Sequence, residues 1–210
     1  MRLVNSALFS LVIGITAISP AGAKYLVLGK APESYLNQTQ QAEFHRRLMQ
    51  EYGSYQKHKS AKVRTWYGEL SQTNTAEELA LLQNVYKLAH RYVVYKEERD
   101  DVWYTAGETI PRGYGDCDDY ANLYITSAML LGYDLNRLWL VAGYFHGRYG
   151  KIGHAIAVVD GTTDEQWVLD NLYKRVVIED KHKLFKPVYS INIERQAVFI
   201  QINTQFSDVW

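Results

Sequence analysis

The chain has 210 residues, with 23 Lys and Arg against 23 Asp and Glu and a formal net charge of +0 at pH 7. That balance argues against nucleic acid or an acidic membrane surface as a partner, and no repeat, low-complexity run or Pro/Gly-rich linker divides the sequence. Cysteine occurs once, so an intramolecular disulfide is impossible and the thiol is of interest for its reactivity.

The N-terminus joins Arg2, an apolar run from Ala7 to Ile18 and the small-residue end Ala21-Gly22-Ala23. This is the layout of a secretory signal peptide cut after Ala23, and its apolar run is shorter than the roughly 20 residues of a membrane span. The expected organisation is a signal peptide over 1–23 and one exported domain over 24–210, without a membrane span in the mature chain. Further on, Pro32 to Tyr52 carries Phe44, Leu48 and Tyr52 at four-residue spacing, as a helix does. A capping box at Thr75-Ala76-Glu77-Glu78 opens a second helix, with Leu79, Leu82, Val85, Tyr86, Ala89 and Val93 on one face. Lys96 to Tyr114 reads as a loop, and its acids Glu97, Glu98, Asp100 and Asp101 as a solvated turn.

Gly115-Asp116-Cys117-Asp118-Asp119-Tyr120 opens a third, amphipathic helix, with Ala121, Tyr124, Ile125 and Ala128 on its apolar side and Gly132 as its stop. A cysteine in a first helical turn meets unpaired N–H groups and the positive end of the helix dipole, which favour the nucleophilic thiolate. The period then changes. Leu138 to Phe145, His154 to Asp160, Glu165 to Asp170 and Ala197 to Ile202 read as strands. Helices followed by strands predict an α+β fold with the cysteine helix packed on an antiparallel sheet.

Between the second and third strands, a three-residue loop centred on Thr162 pairs residues whose numbers sum to 324 and sets His154 opposite Asp170. A one-residue slip or a bulge would replace Asp170 by a neighbour. In register, Cys117 is the nucleophile, His154 its base and Asp170 the carboxylate that orients the imidazole. This is a thiol acyl-transfer site, with the Cys117 N–H as an oxyanion donor. His146 is the strongest rival base; His45, His58, His90 and His182 lack a carboxylate at a paired strand position.

Asp116, Asp118 and Asp119 suit a helix N-terminus, with Asp116 as N-cap, yet three carboxylates around a thiol oppose its ionisation. Helix capping alone and a bound hard cation such as calcium, which takes carboxylate oxygens, both account for them.

These residues resemble a known family. Trp103-Tyr104-Thr105-Ala106-Gly107-Glu108-Thr109, Gly113-Tyr114-Gly115-Asp116-Cys117-Asp118-Asp119-Tyr120-Ala121, Gly153-His154-Ala155 and Leu169-Asp170-Asn171 are similar to the bacterial transglutaminase-like cysteine proteinases of the LapG type. The resemblance spans roughly Leu79 to Asn171. It implies a papain-like fold, Cys117, His154 and Asp170 as triad, and calcium near Asp116, Asp118 and Asp119. It also implies a periplasmic, calcium-dependent protease that cleaves a large surface adhesin near its N-terminus to release cells from a biofilm, and an inner-membrane cyclic di-GMP receptor that sequesters it. One departure is Ala106, where the family pattern Trp-x-Thr-Pro has proline. A transamidase or deamidase begins with the same thioester, and a non-catalytic binding module would keep the same fold.

Overall fold

A computed structural model describes residues 46–98, 102–147, 150–163, 165–178, 185–192 and 198–200. The signal peptide, the start of the Pro32 to Tyr52 helix and the acids Asp100 and Asp101 lie outside the described residues. The helices are α1 across 46–52, α2 (Ala61–Ser71), α3 (Glu78–Tyr92), α4 (Ala106–Arg112) and α5 (Cys117–Leu130). The strands are β1 (Val94–Tyr95), β2 (Tyr114–Gly115), β3 (Leu138–Gly147), β4 (Gly150–Asp160), β5 (Gln166–Leu169), β6 (Val177–Ile178), β7 (Phe185–Asn192) and β8 (Val198–Ile200).

The predicted α+β architecture is present. β3 to β8 form one antiparallel sheet in the order β6-β5-β4-β3-β7-β8, and β1 and β2 pair separately in parallel. Along β4, Ala155, Ala157 and Val159 join the main core with α3 and α5, while Ile156 and Val158 join Trp139, Val141, Val168 and Phe185 in a second cluster. The two-residue period of a strand divides these side chains between opposite sheet faces.

Helix α5 is central to the main core. Its sequence predicts an amphipathic helix, but every residue from Asp118 to Met129 is buried, the pattern of a helix enclosed on all sides. Full burial of side chains such as Leu123 and Ile125 contributes about 1.5–3 kcal/mol each. Gly132 ends the helix as predicted. At φ +86° it permits the Tyr133 N–H to reach back to the Ala128 carbonyl at 3.1 Å, closing a Schellman motif.

Two other expectations need correction. The Thr75 box does not cap α3: the Thr75 hydroxyl accepts the Glu77 N–H at 3.3 Å, and the helix opens at Glu78 with Glu77 as N-cap. The stretch 96–114 is not simply a loop. Thr105 is the N-cap of α4, its N–H held by the Glu108 carboxylate at 2.8 Å, and Gly113 terminates that helix at φ +76°. Ala106 therefore occupies the first helical position, where proline is otherwise favoured. Glu51 of α1 secures the same end by accepting the Gly107 N–H at 3.1 Å and the Thr105 hydroxyl at 2.7 Å.

Candidate active site

Asp116 is the N-cap of α5, as expected, but its side chain makes no capping hydrogen bond. The chain is delivered there by β2, whose Gly115 has no room for a side chain: a Cβ would lie 2.4 Å from Asp119 Oδ2. Cys117 follows at the first helical position. The backbone N–H of Ala155 acts on its thiol, and Ala155 is the residue of β4 that follows His154.

His154 is 6% exposed and Asp170 2%. His154 Nε2 lies 2.8 Å from Asp170 Oδ1, and with Nε2 protonated it donates to the carboxylate and leaves Nδ1 as the nitrogen for proton exchange. Phe145 and Phe185 meet the imidazole edge-on at 5.6 and 6.0 Å. Gly143, the ladder partner of His154, gives β7 room, since a Cβ there would lie 2.2 Å from the Lys186 carbonyl.

The expected register is wrong by two residues. Asp160 pairs with Gln166 and Ala157 with Leu169, so paired numbers sum to 326. The turn is longer than a three-residue loop and is closed by the Gly161 N–H donating to the Glu165 carbonyl at 2.7 Å. A shift of two preserves the face on which each side chain emerges. His154 and Asp170 therefore still meet, although Asp170 lies past the last ladder pair and reaches the imidazole from the following turn.

The acids divide into two sets. Ligand atoms of Asp116, Cys117 and Asp118 all lie within 4.8 Å of one another, close enough for the Asp116 and Asp118 carboxylates to repel unless a proton or a cation offsets their charge. Asp118 is 5% exposed, its Oδ2 has no hydrogen-bond partner, and burial followed by the Asp116 carboxylate holds its pKa far above the usual carboxylate range. A hard divalent ion with oxygen preference fits this pair, with the thiol as a soft neighbour outside its preference. Asp119 is turned elsewhere: Oδ1 accepts the Tyr104 N–H at 3.0 Å, and Oδ2 faces Arg112 at 3.5 Å. Burial, more than its charged neighbours, raises it to about 7.

Sequence reasoning missed the groups around Asp119. Arg112 pairs with Glu98 and lies over the rings of Tyr104 at 3.8 Å and Tyr114 at 4.6 Å. In the sequence Glu98 reads as part of a solvated turn, and one acid in an acidic stretch gives no sign of which partner will bury it. Burial, and next the Asp118 carboxylate, push the Cys117 thiol up to about 12, opposed by the Ala155 backbone N–H. The helix start alone does not make this thiol a thiolate. His146 lies on β3 opposite Lys151, and His90 is bonded to the Tyr124 hydroxyl at 2.9 Å.

A family model described as a transglutaminase-like domain matches residues 40–194. The chain belongs to the transglutaminase-like family. The fold of this family includes cysteine proteases. Among solved structures, calcium-bound LapG from Legionella pneumophila is similar at a TM-score of 0.60 and 19% identity, over 76% of this chain and 88% of that one. The EGTA-treated form of the same protein is similar at a TM-score of 0.59 and 19% identity, over 76% and 86%. At such identity the likeness establishes the shared transglutaminase-like fold. No curated protein matches the chain. Among the described residues no helix is long and apolar enough to cross a membrane.

Proposed function

We propose that this transglutaminase-like protein is a thiol endopeptidase with Cys117 as nucleophile, His154 as acid and base, and Asp170 as the group that orients and supports the imidazole. The observation that carries this reading is the buried 2.8 Å contact of His154 Nε2 with Asp170 Oδ1, in a chain whose one cysteine stands at a helix start. The Cys117 sulfur adds to a peptide carbonyl as its proton passes to His154. The tetrahedral oxyanion collapses to a thioester and expels the amine, which takes that proton. Water, deprotonated by His154, then hydrolyses the thioester and regenerates the thiol. The Cys117 N–H is the oxyanion donor.

Calcium belongs to the same proposal, held by Asp116 and Asp118 with Asp119 supporting from behind, where it would cancel negative charge beside the thiol. That the structurally similar LapG is described in a calcium-bound form supports it. The finer reading is a periplasmic protease, exported by the segment 1–23, that cleaves a large surface adhesin and so releases cells from a biofilm, under sequestration by an inner-membrane cyclic di-GMP receptor. The export-type leader and the LapG-like fold support this assignment.

The test is cleavage of the N-terminal portion of an adhesin from the same cell, with calcium present. Cys117→Ala and His154→Ala each abolish turnover in folded protein, whereas Asp170→Asn lowers it roughly 10²- to 10⁴-fold without abolishing it, because an amide orients the ring but does not stabilise imidazolium. Undiminished turnover in folded Cys117→Ala protein would refute the mechanism. Incorporation of an amine into glutamine substrates, without peptide cleavage, would replace the protease by a transamidase using the same thioester.

A further inference from the structure

Asp170 is the least anchored member of the proposed triad by secondary structure. The β4–β5 ladder ends at Leu169, so strand pairing does not fix the residue that follows. Its position is set by a turn. Asp170 Oδ1 accepts the Leu172 N–H at 2.9 Å as well as the His154 bond, and the Asp170 carbonyl accepts the Tyr173 N–H at 3.1 Å.

Helix α3 holds this turn at two points. The Tyr86 hydroxyl donates to the Tyr173 carbonyl, and Gln83 Nε2 donates to the Val176 carbonyl at 3.2 Å. Residues three apart share a helix face, so both bonds come from one side of α3. Tyr86 is 7% exposed, stacks on Tyr124 at 5.7 Å with 15° between the planes, and lies 4.3 Å from the His90 ring. A ring held on both sides directs its hydroxyl without further ordering cost. Packing alone would be served as well by phenylalanine; the hydroxyl is used on the backbone of the Asp170 turn.

We propose that Tyr86 is a positioning residue for the His154–Asp170 pair, acting through the Tyr173 carbonyl to keep the Asp170 carboxylate within hydrogen-bond reach of the imidazole. The functional weight of this device rests on the triad reading above. The probe is the Nε2–H proton of His154 in full chain labelled with ¹⁵N-histidine, a downfield NMR signal assigned by its loss in His154→Gln. In Tyr86→Phe the signal moves upfield and its exchange with water accelerates roughly three- to tenfold, the weight of one hydrogen bond. Iodoacetamide alkylation of Cys117, the one thiol in the chain, slows by a similar factor at fixed neutral pH. In an Asp170→Ala background Tyr86→Phe adds no further slowing of alkylation, because its effect runs through Asp170. Gln83→Met loosens the same turn from the neighbouring anchor and moves the signal in the same direction, which supplies the test if Tyr86→Phe folds poorly.

An unchanged His154 signal in folded Tyr86→Phe protein overturns the proposal. So does an equal further loss of alkylation in the Asp170→Ala background. The NMR signal reads the imidazole–carboxylate bond and not turnover. A shifted signal in a protein whose His154→Ala variant still cleaves substrate therefore removes the triad while leaving the Tyr86 anchor in place.

Discussion

Cys117 was identifiable in the sequence because a lone cysteine, flanked by acids and followed by an apolar helical pattern, places a thiol at a helix start. His154 and Asp170 were identifiable because strand periodicity fixes which residues share a face even where the turn is misjudged. The turn length was not, since Gly161 to Glu165 offers several closures and the Gly161 N–H to Glu165 carbonyl bond appears only in three dimensions. Asp119 groups with the other acids by adjacency, yet the helix carries its side chain around to Tyr104 and Arg112. His90 illustrates a residue whose chemistry follows from burial alone: enclosed by Tyr86, Tyr120 and Tyr124, it has a pKa lowered from 6.5 by desolvation. The unfolded chain then binds more protons than the folded one just below that value. The stability this supplies is complete above 6.5 and is lost as pH falls toward the folded pKa. Melting scans between about pH 7 and about pH 5 should show a steeper loss in wild type than in His90→Gln; parallel curves would mean that His90 titrates freely.

At the scale of elements, periodicity revealed α3, while α2 went unread although its buried Val63, Trp66 and Leu70 recur at helical spacing. α3 shows its buried stripe of Leu82, Val85, Tyr86 and Ala89 in the sequence. α4 is seven residues long with Pro111 inside it, too short and too broken for a periodic signal; what stabilises it, Glu51, lies far away in the chain. β7 escaped notice because Pro187 falls within it. The strand accommodates that residue at the irregularity between Ala142 and Gly143 of β3, consistent with the confinement of proline to bulges and edges. Gly143 is part of that accommodation. Gly143→Ala places a Cβ against the Lys186 carbonyl and the Pro187 backbone, neither of which can rotate away. We expect a loss of about 1–3 kcal/mol, the usual cost of overpacking, read from the denaturant midpoint. A midpoint equal to wild type would show that β7 yields freely. The same change should weaken alkylation of Cys117, because Gly143 is the ladder partner of His154.

Across the whole molecule, the helices, the sheet and the site form a single stability unit if a cation bridges Asp116 and Asp118. Helix α5 carries both acids at its start and lies enclosed in the main core. A chelator should then lower catalytic activity and melting temperature together, and calcium rather than magnesium should restore both, since magnesium demands a tighter octahedral shell and gives up its waters reluctantly. Saturation at roughly 100 times the dissociation constant corresponds to about 2.7 kcal/mol of added stability. Calorimetry on chelator-treated protein that detects no calcium binding near millimolar concentration, together with unmoved melting, would reduce these acids to helix-capping residues. The half-buried thiol flanked by Asp116 and Asp118 also has a consequence for its own oxidation. Peroxide attacks the thiolate, and its first product, a sulfenic acid, proceeds to irreversible acids where no second cysteine is available to rescue it. A thiol held in the protonated form by burial and then by its acidic neighbours is shielded from that damage. Chelator-treated protein should therefore retain its Cys117 through a peroxide exposure that inactivates the calcium-loaded form, so that the cation which arms the nucleophile also opens it to oxidation.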